Sequence, residues 1–167
     1  MMRLLAAVSA LLVCTLFVGC ASETHEGLIK ETISAMGTAA NDVKMIKNRV
    51  DDAIKKVEKG DTTKLDLTEA TKLTEKLKGT GEEFQRIKRK VEQVRSLVSD
   101  DDRKKNAESS KGKLNDAFKD LLDQKEQLRQ ALEKAEKAQA QNAKAAVDDL
   151  RKKIVDAESP FEALARQ

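Results

Sequence analysis

Apolar side chains return every three or four positions along nearly the whole chain, in four series separated by short polar breaks. The first is Ile29, Ile33, Met36, Ala40, Val43, Ile46, Val50, Ile54 and Val57, which is the spacing of one helix face. Ser22 can cap its start, Glu23 and Glu26 suit the positive end of the dipole, and Lys55, Lys56 and Lys59 suit the other end before Gly60. A helix over 23–59 is predicted. Asp66 followed by Glu69 has capping-box spacing and opens the second series, over 66–98. There Ala70, Leu77, Phe84, Val91 and Val98 fall seven apart with Leu73, Thr80, Ile87 and Val94 between them, a coiled-coil seam. Gly79 and Gly81 interrupt it, each at up to about 1 kcal/mol of helix propensity. A hinge is the functional reading of this pair; a tolerated weak spot between strong heptads is the plainer and preferred one.

Ser99 and the acids Asp100, Asp101 and Asp102 open a third helix, over 100–138, with seam Leu114, Phe118, Leu121, Leu128, Leu132 and Ala135. After Gln139 the register moves by one position. Ala143, Val147, Leu150, Ile154, Ala157, Phe161 and Leu164 then define a fourth helix over 142–166, reached through a turn near 138–142 or by continuous drift. Pro160 lacks a donor and is expected to kink or restart the last turns, with Ser159 as cap. The pattern predicts an all-α fold: an elongated antiparallel, up-down three- or four-helix bundle or coiled coil. With turns near 61, 100 and 140, Phe84, Phe118 and Phe161 come within about 3 Å of one level, at 1.5 Å of rise per residue. Across the first turn that level meets Met36, Gly37, Ala39 and Ala40, large facing small. A full aromatic layer would make Phe118→Ala cost about 3 to 5 kcal/mol.

The first twenty residues follow a different rule. Met1-Met2-Arg3 is a charged start, Leu4 to Val18 is an apolar run, and Phe17-Val18-Gly19-Cys20 closes it. The run is shorter than the roughly 20 apolar residues of a spanning helix. This arrangement resembles the lipobox signal of bacterial lipoproteins, with Phe17 where that family usually has Leu. The resemblance implies a signal peptide over 1–19, cleavage between Gly19 and Cys20, and a lipidated N-terminus over 20–22. Cys20 would carry a thioether-linked diacylglycerol and an N-acyl chain such as palmitate. His25-Glu26-Gly27-Leu28-Ile29 and the closing Phe161-Glu162-Ala163-Leu164-Ala165-Arg166-Gln167 are also similar to small helical lipoproteins of uncharacterised role in planctomycete-type bacteria. That likeness is one of pattern and implies no activity.

Removing 19 of the 167 residues leaves 148, enough for one domain, here 23–167. It takes away Arg3 and no acid, so the formal charge falls from +3 to +2. So balanced a chain, without Trp or Tyr, lacks the basic stripe and stacking platforms of nucleic-acid binders. With 37% charged residues its composition is that of long helices. Cys14 would leave with the signal, so Cys20 is the one cysteine of the processed chain and no intramolecular disulfide is expected.

Candidate chemistry is sparse. The one histidine, His25, cannot supply the Glu-x-x-His pairs of a bundle metal centre and is read as a solvated surface residue. Gly79-Thr80-Gly81 has neither the length nor the lysine of a phosphate loop, and Asp100 to Asp102 lack the alternation of a calcium loop. Hence no catalytic residue, metal or cofactor is expected beyond the covalent lipid, and the chain is not read as an enzyme. Arg86, Lys88, Arg89 and Lys90 form the densest basic cluster. They are candidates for contact with an anionic surface, against the plainer reading of a solvated helix face.

The expected function is a membrane-anchored lipoprotein of the bacterial cell envelope, facing the periplasm, with a structural or protein-interaction role. The alternative is a periplasmic binding or chaperone-like helical module for an apolar ligand or client. Within the resemblance, Ala21 is not the aspartate that retains some lipoproteins in the inner membrane, which favours the outer one. Arg166-Gln167 is not the terminal lysine of wall-linked lipoproteins. An envelope protein is the expected partner, with oligomeric state open.

Overall fold

The periodicity becomes four helices in a computed structural model that describes residues 24–162: α1 His25–Glu58, α2 Thr68–Arg95, α3 Asp100–Lys137 and α4 Ala143–Glu162. No strand occurs among the described residues. Each apolar series is the buried face of its helix. Met36, Ala40, Val43, Ile46, Val50 and Ile54 are buried in α1, Leu77, Phe84 and Ile87 in α2, Leu121, Leu128 and Leu132 in α3, and Val147, Leu150, Ile154 and Phe161 in α4. They join in one core.

The helix directions alternate along the chain, but the neighbours are not those of the simplest up-down ring. Asp42 of α1 reaches Lys76 and Thr80 of α2, an antiparallel pair. Glu26 feels the charge of Lys105, and a surface groove brings Lys47 and Asp51 together with Gln127, Gln130 and Lys134. α1 and α3 are therefore parallel neighbours, with a residue of α1 level with one about 79 positions later. Likewise Leu65 meets Asn142 and Gly81 meets Pro160, which makes α2 and α4 parallel. α1 packs on both α3 and α2, α2 packs on α4, and α3 and α4 touch more sparingly. α2 and α3 thus lie diagonally. The link over 96–99 can make that crossing because its chain spans up to about 17 Å when extended.

This arrangement explains the graded burial. α4 has 20 residues against 38 in α3, so its described part covers only the upper portions of α2 and α3. Below it, Val91, Val94, Leu114 and Phe118 are only partly buried. The expected aromatic layer is correspondingly reduced to a pair. Phe84 and Phe161 rings stand 4.9 Å apart at 42°, while Phe118 rests part-exposed against the core.

The helix ends show where local rules held and where they did not. Ser99 caps α3, its Oγ accepting the Asp102 N–H at 3.2 Å. Ser22 lies outside the described residues; the α1 cap is Thr24, whose Oγ1 accepts the Gly27 N–H at 3.0 Å. The Asp66–Glu69 capping box does not form, because α2 begins only at Thr68, two residues after Asp66. Asp66 Oδ1 accepts the Thr68 N–H at 3.0 Å, and Glu69 pairs with Lys72. α1 closes with Gly60 at φ 77°, the Gly60 N–H on the Val57 carbonyl and the Asp61 N–H on the Lys56 carbonyl, a Schellman ending. α2 ends at Arg95, which leaves Val98 in the turn. Residues 138–142 form a turn, and α4 runs unbroken through Pro160, so neither a restart nor a Ser159 cap occurs.

Candidate functional site

Gly19 and Cys20, the cleavage and lipidation residues, lie outside the described residues. From Thr24 onward the chain is helical, since the Thr24 cap starts a helix of 34 residues. Thr24, the α2 end and the α2–α3 turn share one end of the bundle, its base.

At that base the turn Ser96-Leu97-Val98-Ser99 carries the most exposed large apolar side chain described, Leu97, at 83%. Its N–H donates to the Val94 carbonyl at 2.9 Å. Arg103 holds the turn from the other side, its Nη1 donating to the Arg95 carbonyl at 3.2 Å and its guanidinium pairing with Asp100. His25, expected to be a solvated surface residue, is instead part-buried, with Nδ1 shielded and unbonded.

The basic cluster divides once the helix is formed. Ile87 is buried in the seam, so Arg86, Lys88, Arg89 and Lys90 fan out on either side of it along the flank of α2. Arg86 Nε donates to Glu83 at 2.8 Å and lines a polar groove with Glu31, Ser34 and Thr38 of α1; Lys88 and Lys90 are half-buried and Arg89 is exposed. Only part of the cluster therefore faces solvent.

Two buried carboxylates were not expected from the sequence. Asp42 is 1% exposed; its Oδ2 accepts the Thr80 hydroxyl at 2.9 Å and its Oδ1 pairs with Lys76 Nζ at 2.7 Å. The signal for it exists, since Leu28, Ala35 and Asp42 fall seven apart on one face. Glu158, the second, pairs with Lys125 at 3.0 Å, and burial pushes its carboxyl above the ordinary range despite that cation. No comparable pattern in the sequence marks Glu158.

Glu158 and Lys125 stand at one side of a shallow groove where α3 and α4 splay. Its floor is Leu128, Leu132 and Ile154, with Leu122 and Val155 exposed at 44% and 60%. The rim cations are engaged: Arg129 with Glu126 and Glu133, Arg151 with Glu136. The Arg129 and Gln130 hydrogen bonds pull Glu126 down to about 2. Among the described residues no group of His, Cys, Asp or Glu is arranged to hold a metal, and no helix is long and apolar enough to cross a membrane.

The chain matches no protein-family model, no curated protein and no solved structure.

Proposed function

We propose that the chain is a lipid-anchored protein of a bacterial envelope, held through Cys20 and acting as a structural or protein-interaction element without catalysis. The charged start, the apolar run and Gly19-Cys20 support export and acylation. The observation that carries the reading is the short spacing between Cys20 and Thr24, where a capped helix begins. Four residues reach at most about 14 Å, so acyl chains on Cys20 would keep the base of the bundle beside the bilayer. The charged flanks of the helices then face outward, toward envelope partners.

The test is the intact mass of the protein from the membrane fraction of a bacterial host. Loss of residues 1–19 with added acyl mass is expected, and Cys20→Ser should release the chain from membranes. A cytosolic chain that retains its leader would end this reading.

The α3–α4 groove favours a second reading, a binding or chaperone-like module for an apolar ligand or client. Native-state binding of an apolar dye, lost on Val155→Glu, would support it over a purely structural role.

A further inference from the structure

We propose that the α2–α3 turn is a second membrane contact, in which Leu97, with Val98 beside it, enters the interfacial layer of the bilayer that holds the acyl chains of Cys20. The inference rests on the proposed anchor. The fold does not require Leu97 here: polar and small residues suit a four-residue solvent turn, yet this leucine stands in it beside half-buried Val98. Leu97 contributes almost nothing to the core, being 83% exposed.

The helix registers supply the geometry. Lys47 and Asp51 share a groove with Gln127 and Gln130, an offset of about 79 positions, so Thr24 is level with about residue 103 and the start of α3 projects roughly 5 Å beyond it, at 1.5 Å per residue. The turn is therefore the lowest described point of the base. Cys20 lies four residues before Thr24, within about 14 Å, so its lipid and Leu97 can occupy one interfacial slab. The Leu97 N–H is already bonded to Val94, which lowers the cost of leaving water. Charge does not drive the contact. Asp100, Asp101 and Asp102 follow the turn against Arg95 and Arg103 on its flanks, so no basic excess draws it to a surface and apolar insertion is the chemistry. Two attachment points, one covalent and one apolar, would stand the bundle upright.

The chain has no Trp, so Leu97→Trp gives a unique reporter. The processed, acylated full chain is reconstituted into phosphatidylcholine vesicles with plain or brominated acyl chains. Bromine should quench the indole introduced by Leu97→Trp about twofold and leave that of Asp61→Trp, at the far end of α1 about 51 Å away, unchanged. Because Trp itself favours interfaces, Ser96→Trp is read beside Leu97 and beside Leu97→Asp; quenching should vanish in the second. Acylated, vesicle-bound Leu97→Trp protein with an unquenched indole, or quenching indifferent to Leu97→Asp, overturns the inference and leaves the anchor standing. An unacylated chain that fails to sediment with vesicles overturns the anchor, and this contact with it.

Discussion

The side chain of Asn142 holds Leu65 by both of its backbone groups: Oδ1 accepts the Leu65 N–H at 2.8 Å and Nδ2 donates to the Leu65 carbonyl at 3.0 Å. The Gln141 N–H adds a bond to the Thr63 carbonyl at 3.1 Å, so the two loops at the top are stitched together and buried Leu65 plugs the core. Asn142→Ala leaves two part-buried backbone groups unpaired and should cost about 1 to 3 kcal/mol. The urea midpoint should fall at constant slope; an unchanged midpoint would show that water replaces the amide without loss.

Gly81 and Gly79 should respond in opposite ways to the same substitution. A Cβ at Gly81 would stand 2.8 Å from Pro160 Cγ and 3.1 Å from the Ala157 carbonyl oxygen, whereas at Gly79 it meets nothing within 4 Å. Gly79→Ala should stabilise by about 0.5 to 1 kcal/mol through helix propensity. Gly81→Ala gains the same propensity yet should be destabilising, because a backbone oxygen cannot swing aside as a side chain can. Pro160→Ala should recover part of that loss in thermal unfolding. A Gly81→Ala midpoint above wild type would mean that α4 shifts freely.

How legible this fold was depended on which force decided each feature. Burial of an apolar stripe is periodic, so the seams from Met36 to Ile54 and from Val147 to Phe161 stood out in the sequence. Ring order is not periodic: the helices present similar charged flanks, so nothing in the pattern placed α1 beside α3 or set α2 across from it. Gly81 read as a weak spot because its reason, the ring of Pro160, lies far along the chain in α4. Asn142 and Glu158 were illegible for a related reason, since a polar residue is indistinguishable from a solvated one until its partner is placed; Asp42 carried a hint, seven positions after Ala35 on the buried face of α1. Gly19 and Cys20 lie outside the described residues, so their role still rests on the sequence.

The aromatic side chains should separate by burial. Phe84 is 1% exposed and in ring contact with Phe161, so Phe84→Ala should cost about 3 to 5 kcal/mol. Phe118 lies where α4 gives it little cover, and Phe118→Ala should cost clearly less than Phe84→Ala, revising the loss expected of a three-ring layer. Equal losses in urea denaturation would mean that the lower bundle is better packed than its exposure indicates.

Glu158 makes a pH prediction whose sign follows from burial. Its carboxyl is raised above the ordinary value of 4.5, chiefly by desolvation, with Lys125 opposing. The folded state therefore holds that proton more tightly than the unfolded chain does. Its contribution is fully present below the unfolded value and is lost as pH rises through the folded one. Glu126, Asp66 and Glu69 are lowered by hydrogen bonds from Arg129, Thr68 and Lys72, so their contributions are lost instead as pH falls. Subtracting the melting profile of Glu158→Gln from that of wild type isolates the buried group from these exposed ones. The difference should favour wild type most at about pH 4 and shrink as pH rises past the Glu158 value. A difference that grows with pH would mean that the Lys125 pair outweighs desolvation and that the α3–α4 groove is wetter than its packing suggests.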